Sequence, residues 1–426
     1  MPLVELGTRH TSGHPWIFRR MLAHLGAQAS SLPLGAQASS LHEGGQDARV
    51  PRDEGRQDAC APADLAPGTL VEVVDKFKQH VGRGFFNPYS EIAVRLLTRD
   101  RGSFPDRRWF LGALTRAVRL RHDVLRLPQV TDAYRLVHSE GDGLSGLVVD
   151  KYGPVLVLEL FSAGMHRHLE WLRQGLAENF PDHEIIVRAD HRTERLEGVK
   201  MDGPPPQTRE LIIRENKLKL HVDLRRGHKT GFFLDQRDNR VRVAELSAGE
   251  DVFDGFCYTG GFALSAALAG AKTVEAVDLD EKAIAVAVKN QALNAVGSQV
   301  QFIHGDVFNV LRDRRASGKR YTRIILDPAK LAVSRAEIPK ALSAYADMNR
   351  LAMQCLQPGG ILVSCSCTGL VSEEDFLMAL KAAADEAGVE LQIIAVYGAA
   401  PDHPWSIRLP EGRYLKAVFS RVMPLQ

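Results

Sequence analysis

The chain has 426 residues, 45% of them hydrophobic, with 54 Lys and Arg against 52 Asp and Glu for a formal net charge of +2. That length and apolar content predict two or three domains with a substantial core, and the near-neutral balance means that any nucleic-acid surface must come from local clustering. No apolar run reaches membrane-spanning length and the start MPLVELGTRH lacks the charged and apolar regions of a signal peptide, so a cytoplasmic protein is expected.

Residues 1–24 contain SGHPWIFRRM, in which Trp16 and Phe18 read as core residues, with base-stacking platforms as the alternative. LGAQASSL at Leu25–Leu32 then recurs at Leu34–Leu41, followed by EGGQDA at Glu43 and EGRQDA at Glu54. Tandem copies of small and polar residues cannot offset the entropy of ordering, so residues 25–64 read as a disordered insertion. Val71–Val74, Val81–Phe86 and Ile92–Leu97 predict short strands of the small β domain that it interrupts.

Residues 100–215 form a second, α+β unit. Its helical start carries Arg101, Arg107, Arg108, Arg116, Arg119, Arg121 and Arg126 with few acids to offset them. The cluster suits phosphate contacts; a solvated helix face is the alternative. YRLVHSEGDGLSGLVVDKYGPVLVLEL then predicts a hairpin with Gly-rich turns, and Asp202–Pro206 a loop.

From residue 216 strands alternate with helices, which predicts a mostly parallel sheet; the last two strands lack a helix between them and should pair antiparallel. The unit centres on DVFDGFCYTGGFALSAALAGAKTVEAVDLD, Asp251–Asp280, a strand, a glycine turn, an Ala/Leu helix and a second strand ending on Asp278. Glycines let the backbone approach a ligand, and an acid at the second strand's end can accept ribose hydroxyls. G-x-G-x-x-G is absent, so nothing argues for a pyrophosphate. A nucleoside without phosphates, such as S-adenosylmethionine, fits better; an ordinary tight turn is the bland alternative.

Asp254, Asp278, Asp306, Asp327 and Cys367 all fall at strand carboxyl ends, where open α/β sheets bind ligands. A helix cap or turn role remains open for each aspartate. The five cysteines, at 60, 257, 355, 365 and 367, form no C-x-x-C pair or Cys/His metal cluster and are expected to be reduced thiols. Cys365 and Cys367 share one strand face, so periodicity cannot choose between them.

HPWIFRR, GRGFFNPYSEIAVRLL, GHKTGFFLDQRDNR and Ser366-Cys367-Thr368-Gly369 resemble segments of the bacterial large-subunit ribosomal RNA methyltransferase I family. The resemblance covers nearly the whole chain outside the insertion. It implies an N-terminal PUA-like RNA-binding domain over 1–99, a central α+β domain over 100–215, and over 216–426 a Rossmann-like class I methyltransferase domain using S-adenosylmethionine. It also implies ribosomal RNA as partner and a homodimer. Cofactor contacts are expected from Gln236, Asp254, Gly255, Thr259, Gly260, Asp278 and Asp306, with the ribose at Asp278 and the adenine amino group at Asp306.

The family's Ser-Cys-Ser-Gly motif selects Cys367 as nucleophile, leaving Cys365 to packing. Cytosine carbon 5 is too weak a nucleophile to take a methyl group unaided; a thiolate adding to carbon 6 activates it. Asp327 is expected to hydrogen-bond the cytosine edge. Asp327-Pro-Ala-Lys330 departs from the family's Asp-Pro-Pro-Lys-Phe at Ala329 and Leu331, which bears on the base pocket. Asp402-His-Pro404 matches the family and reads either as pocket lining or as a loop. Methylation of another RNA base, or an RNA-binding protein that keeps the cofactor fold without turnover, are the competing readings.

Overall fold

The computed structural model describes residues 1–8, 13–22, 65–189, 191–200, 210–224 and 230–425. The insertion at 25–64, Cys60 and the loop at 202–206 lie outside them. The N-terminal sheet contains β1 (Leu3–Glu5), β2 (Trp16–Phe18), β3 (Thr69–Val74), β4 (His80–Phe86) and β5 (Ile92–Thr98), in the order β1-β3-β4-β5-β2. Strands β4 and β5 approach so closely that a Cβ on Gly84 would lie 2.1 Å from the Arg95 carbonyl oxygen, so only glycine fits there.

Within β2 the side chains alternate. Ile17 enters the core with Val71, Val73 and Val94, while Trp16 and Phe18 are only half-buried on the other face. The expectation that both aromatic residues are core is therefore corrected. Trp16 Nε1 donates to Glu140 at 2.7 Å, and its ring packs under Arg95.

The central segment opens with α1 (Arg107–Arg119), capped by Asp106, whose side chain accepts from Trp109 N at 2.8 Å. Next come β6 (Ala133–His138), β7 (Leu147–Tyr152), β8 (Val155–Leu160), α2 (Ala163–Arg167), α3 (Leu169–Asn179) and β9 (Glu184–Arg188), followed by α4 (His191–Glu197). The four strands pair in the order β6-β7-β8-β9. Helix α1 buries Phe110, Ala113, Leu114 and Ala117 at three- and four-residue spacing, and Arg121 continues that face. It is fully buried, with its guanidinium on Asp142 at 2.6 and 2.9 Å. Arg121 is thus removed from the expected phosphate-binding cluster; Arg101, Arg107, Arg108, Arg116, Arg119 and Arg126 are exposed.

β10 (Glu210–Glu215) and β11 (Leu218–Asp223) form one antiparallel hairpin that straddles the boundary expected at 215/216. It packs between units: Leu218 and Leu220 share a core with Tyr152 and Val155 on one side and Phe232 and Leu264 on the other.

The last unit alternates α5 (Arg237–Glu245), β12 (Asp251–Gly255), α6 (Gly261–Leu268), β13 (Thr273–Asp278), α7 (Glu281–Leu293), β14 (Val300–His304), α8 (Val307–Ala316) and β15 (Tyr321–Leu326). Then follow α9 (Ile338–Cys355), β16 (Leu356–Ser366), α10 (Glu373–Ala387), β17 (Val389–Tyr397) and β18 (Lys416–Pro424). The sheet order is β14-β13-β12-β15-β16-β18-β17, with the first five parallel and β18 antiparallel to both neighbours. After β12 the chain winds outward through β13 and β14, then returns to β15 on the other side. This switch of direction opens a crevice beyond the carboxyl ends of β12 and β15. Among the described residues no helix is long and apolar enough to cross a membrane.

Candidate active site

A cavity of about 720 Å³ lies in that crevice, within the size range of small-molecule sites. Its wall is built at strand ends. Asp278 ends β13, Asp306 caps α8 just after β14, Asp327 follows β15, and Cys367 follows β16; all four line the cavity with Gln236.

The turn after β12 is held in a costly backbone. Phe256 and Tyr258 have φ of 66° and 49°, and Gly260 has φ of 86°; bulky residues there imply that surrounding contacts override the strain. Those contacts are present. Cys257 N donates to Val277 O at 3.0 Å and Tyr258 N to Asp278 Oδ2 at 2.7 Å. The other Asp278 oxygen accepts from Asp280 N at 2.9 Å. Asp278 therefore braces the turn and also presents its carboxylate to the cavity.

Asp254 lies behind this turn, fully buried, with Oδ2 accepting from Ala263 N at 2.9 Å and Oδ1 without a partner. Burial pushes its carboxyl well above the ordinary range against that one bond, and the nearby Asp327 and Asp278 add to the push. Thr259 Oγ1 is a second buried polar atom without a partner, and the Thr259 carbonyl accepts from Asn290.

Gln236 and Asp327 form the floor. Gln236 Nε2 donates to Asp327 Oδ1 at 3.0 Å, and Asn239 Nδ2 fixes the Gln236 oxygen at 2.6 Å. The Asp327 loop is tied to the Cys367 loop, because Leu331 N donates to Thr368 Oγ1 at 3.1 Å. Cys367 is half-buried with Sγ 3.9 Å from Pro328 O. Cys365 is fully enclosed, and burial, then Asp327, drives its thiol well above the ordinary range. An accessible thiol and a sealed one thus sit two residues apart.

A family model described as S-adenosylmethionine-dependent methyltransferase matches residues 143–407, and one described as a PUA-like domain matches 56–99. The chain is 40% identical over 362 residues to ribosomal RNA large subunit methyltransferase I of Pseudoalteromonas atlantica, covering 84% of this chain and 91% of that protein. The protein of the same name in Shewanella amazonensis is 41% identical over 361 residues, covering 83% and 91%. The chain belongs to the ribosomal RNA large subunit methyltransferase I family.

This methyltransferase I family member also shares its fold with solved structures. One is a methyltransferase complexed with SAH, at TM-score 0.74 and 19% identity, covering 85% of this chain and 93% of that one. Another, a SAM-dependent methyltransferase from Streptococcus mutans, has TM-score 0.72 at 20% identity with the same coverage. The fold is thus a class I S-adenosylmethionine-dependent methyltransferase sheet with a PUA-like N-terminal domain.

The site fits the cofactor chemically. S-adenosylmethionine carries an ammonium and a sulfonium, and five aspartates, Asp235, Asp278, Asp280, Asp306 and Asp327, line the cavity. The partnerless Asp254 Oδ1 and Thr259 Oγ1 lie at the adjoining turn. Gly255, Thr259, Gly260 and Asp254 stay outside the lining, whereas Phe256, Cys257, Tyr258 and Gly261 form it.

Periodicity carries no signal for bulky residues at positive φ, so these were missed. Also missed were Phe232, Phe233 and Asp235, which line the cavity just before Gln236, and Arg240, clamped by Glu215 of the hairpin at 2.6 Å on each side. Asp402 and His403 are buried and outside the lining, so their pocket reading is corrected. They join units instead: Arg121 donates to the Asp402 carbonyl at 2.6 Å.

Proposed function

We propose that this protein methylates carbon 5 of a cytosine in large-subunit ribosomal RNA, with Cys367 as covalent nucleophile. The reading rests on one observation above all: Cys367 lines the same cavity as Asp278, Asp306 and Asp327, while Cys365 is sealed in the core. The substrate class follows the names of the relatives, ribosomal RNA large subunit methyltransferase I.

Asp278 and Asp306 would hold the ribose and the adenine amino group of S-adenosylmethionine. Asp254, Gly255, Thr259 and Gly260 shape the turn that faces its methionine part, and Gln236 walls it. When bound, the cofactor supplies a methyl group on a sulfonium, an electrophile for a carbon nucleophile.

The protein's part is to make such a carbon. Cys367 Sγ adds to carbon 6, the 5,6 double bond opens, and its electron pair becomes available at carbon 5. Asp327, held by Gln236, accepts from the cytosine edge and steadies the adduct. After methylation, loss of the carbon 5 proton to water re-forms the double bond and expels the Cys367 thiolate. The target base must leave its stack to reach the sulfur.

The test is transfer of labelled methyl from S-adenosylmethionine to unmodified large-subunit RNA, with digestion to nucleosides. 5-Methylcytidine from wild type and Cys365→Ala, and none from Cys367→Ala, supports the reading. Another methylated nucleoside formed equally by Cys367→Ala would make Cys367 structural and shift the target to a different base. Absence of any transfer by wild type would favour a binding role.

A further inference from the structure

Lys416 opens β18, and the ladder sets it opposite Ser366, the residue before Cys367. It is 3% exposed. Its Nζ donates to the carbonyls of Thr368 at 2.9 Å and Val371 at 2.8 Å, both in the turn that follows Cys367. An ammonium has three donors, so these carbonyls use two of them. A lysine buried at this depth costs more than an apolar residue would, which asks for a reason beyond closing a turn.

The charges around it supply one. The groups facing Lys416 are Cys367, Glu373 in the first turn of α10, and Arg413. Burial brings Lys416 down to about 8, and Cys367, then Glu373, oppose that fall. Coupling between two sites is reciprocal: a thiolate that favours the ammonium is favoured by it.

Tyr345 from α9, Tyr414 from the segment before β18 and Cys365 from β16 also feel the Cys367 charge, and Asp327 lines the same cavity. Burial holds both tyrosines protonated and the Cys365 thiol neutral. Asp327 is a like charge and works against a thiolate. A cation on the buried side offsets it.

We propose that Lys416 is the positioning residue of Cys367: the same ammonium pins the turn after Cys367 through two carbonyls and supplies the positive charge that keeps the sulfur in its nucleophilic, deprotonated form. The thiol proton leaves to solvent, and Lys416 keeps its own. The proposal rests on Cys367 being the nucleophile, but its test needs no methyl transfer.

Full-length wild type, Lys416→Met and Lys416→Arg are alkylated with iodoacetamide across pH 5.5 to 9.5, and fragmentation mass spectrometry assigns the adduct rate to Cys367. Wild-type Cys367 is expected to titrate below the ordinary thiol value of about 8.5. Lys416→Met raises the midpoint by about one unit, slowing alkylation at pH 7 roughly tenfold, and Lys416→Arg returns the profile toward wild type. A wild-type midpoint at or above the ordinary value, or an unchanged profile in Lys416→Met, overturns the proposal. If Lys416→Met does not fold, the wild-type midpoint alone decides. A shifted alkylation profile together with 5-methylcytidine still formed by Cys367→Ala would separate failure of the nucleophile reading from failure of this one.

Discussion

Arg237 and Asp402 meet in a two-pronged pair, Nη1 to Oδ2 and Nη2 to Oδ1, each 3.0 Å, with side chains 3% and 0% exposed. Asp402 Oδ2 also accepts from Arg135 N at 2.9 Å. One carboxylate therefore joins α5 of the catalytic unit to β6 of the central unit.

Asp402→Asn takes the two-pronged partner from the buried Arg237 and leaves it only Asp238, at 3.1 Å from Nε, a loss of about 3 kcal/mol, the low end of the range for breaking a buried pair. Burial opposes the Asp402 charge, but His403 and Arg237 outweigh it and hold the carboxyl well below the ordinary range. Its contribution is therefore complete above about pH 4 and is lost as pH falls toward the folded value. Denaturant titration at neutral pH checks the first point: a loss under about 1 kcal/mol would show the pair to be replaceable.

His138 extends this cluster. Its Nδ1 lies 2.9 Å from Arg135 Nη1, where it accepts. Burial, then Arg135, His403 and Arg121, push it well below the ordinary histidine value, with Asp402 opposing. The unfolded chain thus takes a proton that the folded chain refuses, and stability falls as pH drops below about 6.5. His138→Gln should reduce the slope of stability against pH between about pH 5 and 6.5 by up to one proton, about 1.4 kcal/mol per pH unit. Thermal melts at stepped pH read this directly, and an unaltered slope would mean that His138 is not the group refusing the proton.

Asp278→Ala removes both the brace on Tyr258 and Asp280 and the carboxylate in the cavity. Loss of a charged hydrogen bond of about 1.5–3 kcal/mol predicts S-adenosylhomocysteine binding weaker by roughly ten- to a hundredfold. Calorimetric titration measures it; binding within twofold of wild type would remove Asp278 from the cofactor site.

Arg116 and Arg119 are exposed on α1. If they contact phosphates, Arg116→Glu with Arg119→Glu lowers RNA affinity and reduces the slope of log affinity against log salt by about 1.4 to 1.8. Arg121 is excluded from this set by its burial against Asp142. An unchanged slope in a filter-binding series would assign these arginines to solvent.

The sequence by itself determined the βαβ unit at Asp251–Asp280, the alternation that makes the sheet parallel, and its antiparallel end, because hydrophobic period and glycine turns act within a few residues of chain. It also carried the family's motifs, hence the cofactor class. Local pattern also held Arg121, which lies one four-residue step from Ala117, just past the end of α1 and in line with its buried face.

Tertiary structure decided what local pattern cannot contain. Cys365 and Cys367 have the same strand parity, but β16 ends at Ser366, so one thiol is sealed and the other opens into the cavity. Phe256 and Tyr258 adopt positive φ only because β13 supplies Val277 O and the Asp278 carboxylate. Asp402 meets Arg237 across 165 residues, and Lys416 meets the turn after Cys367 across 45 to 48. Burial and charge pairing at such separations depend on how whole layers stack, and no short window of sequence holds that information.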